Sequence, residues 1–110
     1  MDLHLTESDR DTLKVAPIGD FDALGCKLIQ ERFDHIADSD THQSILVDLH
    51  DVSFIDSSGI GAIVSLYKRL IIRNRDMEII NFHGQPKKLI CLLRINKAIT
   101  VKFADEAEAE

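Results

Sequence analysis

Apolar residues recur along the chain with two different spacings, which predict alternating strands and helices. Short apolar or alternating runs predict five strands, at residues 4–6, 12–18, 45–49 with a continuation at 52–55, 77–82 and 98–103. Steps of three and four residues predict three helices, which begin near Leu24, within two residues of Ser57 and near Pro86. Asp22 is a suitable N-cap for the first helix. Asn74 is expected to end the second, because asparagine tolerates the left-handed conformation.

This order of elements predicts a single α/β domain over residues 1–110. Strands that alternate with helices favour a parallel sheet with right-handed crossovers. The polar residues 7–11 predict an opening hairpin, which makes the sheet mixed. We therefore expect a mixed, mostly parallel sheet of about five strands, with three to four helices packed on it. The run at residues 45–49 is typical of a buried central strand, and residues 104–110 form an acidic tail.

Charge is unevenly distributed along the chain. Residues 1–56 hold 13 acidic and 4 basic side chains, whereas residues 57–103 hold 9 basic and 2 acidic ones. We interpret this as two halves that neutralise each other within one fold, with a basic patch for a partner as the alternative. The net charge of −6 does not suit a nucleic-acid binder, so we expect no nucleic-acid partner.

Three features of the sequence predict the cellular compartment: the apolar runs, the N-terminus and the cysteines. No apolar run approaches the roughly 20 residues that span a bilayer, and residues 1–10 lack the positive start of a signal peptide. Cys26 and Cys91 stand in separate segments without a C-x-x-C motif, so neither a disulfide scaffold nor a zinc site is predicted. We expect a cytoplasmic, monomeric protein without membrane contact, metal or cofactor, whose thiols are buried or idle.

The sequence offers little support for catalysis. It lacks the glycine-rich loops that bind nucleotide phosphates and the G-x-S-x-G of serine hydrolases, and its histidines have no metal-ligand spacing. Asp48, Asp51 and Asp56 cluster near a predicted strand end, where α/β proteins often place active sites. No further catalytic motif accompanies them, so we expect that the protein is not an enzyme. A small enzyme built on these aspartates is the alternative.

The most informative stretch is residues 52–61, in which a predicted strand runs through Asp-Ser-Ser-Gly into a long helix. In one interpretation Asp56 or Ser57 caps the helix, since a side-chain oxygen there can accept a free backbone N–H. In the other, Gly59 and Gly61 leave the surface bare, so that a partner can approach an exposed serine. A phosphate on that serine would meet the favourable charge of the helix N-terminus. The residues alone leave both interpretations open.

Residues 54–61, following the strand at 45–49, resemble the signature of STAS domains, specifically the bacterial anti-sigma factor antagonists. The Gly-Asp-Phe-Asp run at residues 19–22 resembles the family's Gly-x-x-Asp turn before the first helix. The order and length of the elements fit this family over nearly the whole chain. Two features depart from it: residues 74–76 lack the glycine common where the long helix ends, and a full last helix is missing after residue 103.

The resemblance implies a phosphorylation switch in bacterial partner switching. In that family a partner anti-sigma factor, which is also a serine kinase with a histidine-kinase-like ATPase fold, phosphorylates the serine before the glycine. That residue is Ser58 here. Asp22 and Asp56 are implied to lie beside it, with Ser57 and Gly59 as neighbours. The unphosphorylated form binds the anti-sigma factor and releases its client, phosphorylation abolishes binding, and a metal-dependent serine phosphatase usually reverses the modification.

We expect different roles for the two serines. Ser57 should cap the helix, and Ser58 should point outward and accept the phosphate. At least one of Ile60, Val64 and Ile72 should be partly exposed, the alternative being that all three pack inward. The partner-binding surface would contain residues that follow the motif, namely Ile60, Gly61 and Val64. The alternative function is a constitutive STAS scaffold or ligand-binding module whose serines only cap the helix.

Overall fold

The computed structural model describes residues 1–103, and describes side chains for residues 1–100. Within this part the chain forms seven strands: β1 (Asp2–Asp9), β2 (Thr12–Ile18), β3 (Asp20–Phe21), β4 (Ser44–Asp48), β5 (Phe54–Ile55), β6 (Asp76–Phe82) and β7 (Thr100–Phe103). It also forms four helices: α1 (Ala23–Asp38), α2 (Ser57–Ile72), α3 (Gly84–Leu92) and α4 (Ile95–Ala98). None of these described helices is long and apolar enough to cross a membrane.

The main sheet has five strands in the order β1-β2-β4-β6-β7. β1 is antiparallel to β2, and the other neighbours are parallel. The parallel strands follow one another in a single direction across the sheet, so right-handed crossovers bring α1, α2 and α3 to the same face. The predicted α/β fold with a mixed, mostly parallel sheet of about five strands is confirmed.

The central strand β4 is buried on one face only, which corrects the prediction of a buried strand. Ile45 and Val47 are completely buried, whereas Leu46 between them is half-buried. The helices cover only the face to which Ile45 and Val47 point, so Leu46 lies on the other side of the sheet. Asp48 lies on that second side as well, where it is buried and its carboxylate pairs with Lys14 at 3.6 Å.

Two predicted elements differ in extent. The strand predicted at residues 52–55 is only the short β5, and it pairs with β3, which the pattern did not indicate because two residues are too few to show a period. The third helix ends at Leu92, and Arg94 then turns the chain with a φ of 59°. Asn74 ends α2 with a φ of 59°, as predicted. The predicted acidic tail, residues 104–110, lies outside the described residues.

The acidic and basic halves of the chain meet where α1 packs beside α2. Arg69 of α2 donates hydrogen bonds to Asp34 and Asp38 of α1 at 2.8 and 2.7 Å. The bond from Arg69 holds the pKa of Asp34 below its usual value. Arg75, which is buried, donates to the carboxylate of Asp40 at 3.0 Å. The predicted neutralisation between the two halves is confirmed for these arginines.

The two faces of β4 should respond differently to truncation. We expect Ile45→Ala to lower the free energy of unfolding by about 2–5 kcal/mol, because it opens a cavity under the helices. Leu46→Ala should cost roughly 1 kcal/mol, since its side chain is half-exposed already. Urea denaturation measures both values. Equal losses would mean that the second face of the sheet is covered as well.

Candidate functional site

Two strand-to-helix turns lie side by side in the structure. β3 leads through Asp22 into α1, and β5 leads through Asp56 into α2. β3 and β5 are parallel neighbours, with Phe21 opposite Ile55, so the two helices start next to each other. The two aspartates share one extended backbone shape, with φ and ψ of −111° and −169° for Asp22 and of −115° and −170° for Asp56. The turns are therefore two copies of one local structure.

In each turn the aspartate side chain caps the helix that follows. The Gly25 amide donates to Asp22 Oδ1 at 2.9 Å. The amides of Ser58 and Gly59 donate to Asp56 Oδ1 at 2.8 and 3.2 Å. An N-cap residue has an extended backbone, and α2 already begins at Ser57, so the cap is the residue before it. The prediction that Asp22 caps α1 is confirmed, and the prediction that Ser57 caps α2 is wrong.

The first glycine of the motif is explained by packing inside the domain. A Cβ atom at Gly59 would collide with the carbonyl oxygen of Phe21 and would lie 2.6 Å from a side-chain carbon of Ile55. A Cβ atom at Gly25 of α1 would likewise lie only 2.5 Å from the carbonyl oxygen of Asp20. Gly59 is therefore required by packing inside the domain. This contradicts the interpretation that Gly59 leaves the surface bare for a partner. Gly61 is different, because a Cβ atom there would meet nothing within 4 Å.

The two serines lie on different sides of α2. Ser57 is exposed in the first turn, and Ser58 is half-buried. Helical spacing puts Ser58 on the same side as Ala62, Ser65 and Arg69, which line the cleft between α1 and α2. Ser58, which was expected to point outward, is thus the less exposed of the two serines, and Ser57, which was expected to cap the helix, is exposed.

Negative charge accumulates where the two helices begin. Both capping aspartates act on the thiol of Cys26 in α1. Burial raises the pKa of the Cys26 thiol above its usual value, and the charges of Asp56 and Asp22 raise it further. The charges of Asp22 and Asp56, which stand 34 positions apart in the chain, thus act together near Cys26, and Asp56 also accepts from the Ser58 amide.

The apolar residues around the motif divide into a buried and an exposed set. Ile60 is buried and belongs to the core, and Val64 is half-buried. Ile72, at 82% exposure, meets the expectation that one of the three would be exposed, but it lies at the opposite end of α2. Leu24 and Phe54 lie beside the two turns and are 66% and 42% exposed.

The apolar pattern of α1 did not identify Leu24 as an exposed residue of the candidate site. The signal that could have identified it is the similarity between the turn at Asp22 and the turn at Asp56. Asp22 corresponds to Asp56, and Gly25 corresponds to Gly59, so Leu24 holds in α1 the position that Ser58 holds in α2. Both residues follow their cap by two positions.

The three aspartates considered for an enzyme have separate structural partners. Asp48 accepts from the His50 amide at 2.9 Å and pairs with Lys14. The carboxylate of Asp51 lies 3.1 Å from Nδ1 of His50, and Asp56 is the cap of α2. Among the described residues, no three His, Cys, Asp or Glu side chains are grouped so that they could hold a metal ion.

The family model of the STAS domain matches residues 4–109. The chain belongs to the STAS domain family. Solved structures with this fold include an anti-sigma factor antagonist from Mycobacterium paratuberculosis, which is 16% identical over 98% of this chain and 92% of that chain, with a TM-score of 0.82. The predicted family is therefore confirmed.

Two further solved structures share this fold. The Bacillus cell fate determinant SpoIIAA in its phosphorylated form is 18% identical over 98% of this chain and 97% of that chain, with a TM-score of 0.72. A sulfate transporter family protein from Wolinella succinogenes is 15% identical over 92% of this chain and 84% of that chain, with a TM-score of 0.73. At these identities the similarity shows the fold alone.

The two glycines of the motif should respond in opposite ways to alanine. Gly59→Ala should destabilise the STAS domain by about 1–3 kcal/mol, because the new methyl group overpacks against the Phe21 carbonyl. Gly61→Ala should stabilise it by about 0.5–1 kcal/mol, because the site is open and alanine favours the helix. Thermal and urea denaturation of both variants test this. A stabilising Gly59→Ala would refute the close approach of β3 to α2.

The cap assignment is tested by a second matched pair. Asp56→Ala should lower the free energy of unfolding by about 0.5–2 kcal/mol, because the amides of Ser58 and Gly59 lose their acceptor. Ser57→Ala should change stability by less than about 0.5 kcal/mol, as is usual for an exposed position. Urea denaturation at neutral pH gives both numbers. A larger loss for Ser57→Ala than for Asp56→Ala would restore Ser57 as the cap.

Proposed function

We propose that this STAS domain is an anti-sigma factor antagonist that works as a serine-phosphorylation switch. Its unphosphorylated form binds an anti-sigma factor that is also a serine kinase, with a histidine-kinase-like ATPase fold, and so releases a sigma factor or another client. Phosphorylation of Ser58 ends the binding, and a metal-dependent serine phosphatase restores it. The domain itself catalyses no reaction in this scheme. Because sigma factors act in the cytoplasm, this is also where we propose that the domain acts.

The observation that carries the proposal is the position of Ser58 beside the cap of α2. Its backbone amide donates to the Asp56 carboxylate at 2.8 Å, so a phosphate on its side chain would lie close to that carboxylate. The amide of Gly59 donates to the same carboxylate, and the amide of Ile60 to the Asp56 carbonyl. Few N–H groups of the first turn are therefore left for a phosphate, and charge repulsion dominates its effect.

The charge that phosphorylation adds is large enough for a switch. A phosphate adds a charge of about −1.5 to −2 at neutral pH. It would join the capping carboxylates of Asp22 and Asp56 in a region that is already negative. A partner surface that accepts this end of the unphosphorylated domain would then face a much higher negative charge. The helix dipole of α2 offsets part of this repulsion within the free domain, which favours loss of binding over unfolding.

The partner surface in this proposal surrounds the two turns. Gly61 and Val64 remain in it, since Gly61 is open to approach and Val64 is half-buried. Ile60 is left out because its side chain belongs to the core. The exposed side chains of Leu24 and Phe54 join the surface, since large apolar groups near a negative, polar site are suitable anchors for a protein partner.

The alternative function is a constitutive STAS scaffold or ligand-binding module. The structural similarity to the sulfate transporter family protein supports it, because the same fold also occurs in that setting. In this alternative Ser58 is never modified. Intact-mass spectrometry of the chain purified from its native host separates the two functions, since one phosphoryl group adds about 80 Da.

Substitution of the two serines tests the switch directly. Ser58→Ala should fold normally, remain unphosphorylated in the native host and retain an anti-sigma factor kinase in pull-downs. Ser58→Asp should fold but bind that partner weakly, because the carboxylate supplies part of the charge of the phosphate next to Asp56. Ser57→Ala is the matched control and should be phosphorylated like the unaltered chain. Phosphopeptide mapping and quantified pull-downs provide the readouts.

Phosphate found on Ser57 with Ser58 unmodified would move the switch to the other serine. No phosphate on either serine in the presence of the cognate kinase would exclude the switch and favour the constitutive module. Binding of the partner with equal affinity by Ser58→Ala and Ser58→Asp would show that charge at this position does not control the complex.

A further inference from the structure

The segment from residue 84 to residue 103 contains five basic and no acidic side chains. It comprises α3, α4 and β7, and it stands in a chain whose net charge is −6. Where α1 packs beside α2, arginines pair with acids, as Arg69 does with Asp34 and Asp38. Lys88, Arg94 and Lys97 differ from them: all are exposed, and none pairs with an acidic residue among residues 1–100.

Two large apolar side chains are exposed among these cations. Leu92 is 76% exposed and Leu93 is 48% exposed, both at the end of α3. Leu92 follows Lys88 by four positions, so the two share one side of the helix. The opposite side of α3 is anchored in the domain through Pro86 and Ile90, which are buried. The exposed side thus combines positive charge with apolar surface.

The backbone at Arg94 gives an independent reason to regard this surface as functional. Arg94 has φ 59° and ψ 28°, the left-handed conformation that follows many helices and is usually taken by glycine. Holding a residue with a Cβ atom there costs about 1 kcal/mol. A cation kept at a position that glycine would fill at lower cost is consistent with a binding role for its side chain.

We propose that Lys88, Leu92, Leu93, Arg94 and Lys97, here called the α3–α4 surface, bind an acidic segment of a partner protein that also carries large apolar residues. Glutamate or aspartate side chains of that segment would pair with the cations, and its apolar residues would cover the two leucines. Charge complementarity specifies the partner. This surface and its partner are independent of phosphorylation at Ser58.

An acidic peptide fits these observations better than an anionic membrane does. A helix that lies in a membrane presents a broad apolar face to the lipid. α3 has nine residues, and its buried side chains, Pro86 and Ile90, face the domain itself. Two exposed leucines suit a short peptide contact instead.

A labelled peptide tests the proposal with the full chain. The probe is a fluorescein-labelled peptide in which pairs of glutamates alternate with leucines, and its binding is followed by fluorescence anisotropy near physiological salt. We expect Lys88→Glu, Leu92→Ser and Arg94→Gly each to weaken binding by about tenfold or more. Lys27→Glu, which reverses an exposed cation on α1, should bind within about twofold of the unaltered chain.

Arg94→Gly separates binding from folding. Glycine takes the left-handed conformation without strain, so this variant should be as stable as the unaltered chain or more stable. A loss of peptide binding together with an unchanged or raised melting temperature supports the proposal. No binding of the peptide by the unaltered chain, or the same affinity for all variants, would overturn it.

Two further outcomes would assign the surface to another occupant and so also overturn the proposal. One is that vesicles of phosphatidylserine and phosphatidylcholine bind the surface while the peptide does not. The other is that the peptide binds only after the acidic residues between 104 and 110 are replaced by their amides, which would make the chain's own end the occupant.

Discussion

The close contact between the backbone of β3 and the first turns of α1 and α2 is the constraint on which the candidate site depends. The carbonyl oxygens of Asp20 and Phe21 lie where the side chains of residues 25 and 59 would be, so only glycine fits at both positions. This contact fixes the two helices at the same level and brings their capping aspartates together. The arrangement of charge around Ser58 is therefore a consequence of backbone packing.

A second contact holds β5 from its other side. Gln85 of α3 accepts a hydrogen bond from the Ile55 amide at 2.9 Å and donates one to the Ile55 carbonyl at 2.8 Å. One side chain thus replaces the hydrogen bonds of a neighbouring strand. β5 has only two residues, so such support from both sides is what allows it to hold Asp56 in place at the start of α2.

Ion pairing divides the surface of the domain into regions with different properties. Arg69 of α2 and Arg73 after it pair with acids of α1, and Arg75 in the following turn pairs with Asp40. Lys88, Arg94 and Lys97 have no such acidic neighbour among residues 1–100. The two proposed binding regions therefore have opposite charge: the turns around Ser58 are negative, and the α3–α4 surface is positive.

The sequence by itself determined the α/β order of elements, the family, the cap at Asp22 and the end of α2 at Asn74. These features depend on local chemistry: apolar period, capping oxygen and tolerance of a left-handed backbone. It also placed Ser58 at the start of a helix, because the Asp-Ser-Ser-Gly run follows a strand.

Only the tertiary structure decided which face of each element is covered. Leu24, Leu46 and Leu92 belong to the apolar runs but are exposed or half-buried, because a period shows which residues share a face and not whether another element packs on it. The choice of Asp56 over Ser57 as cap likewise depended on where β5 ends and α2 begins, which its pairing with β3 sets. Packing between distant segments fixes these features, and no local pattern contains that information.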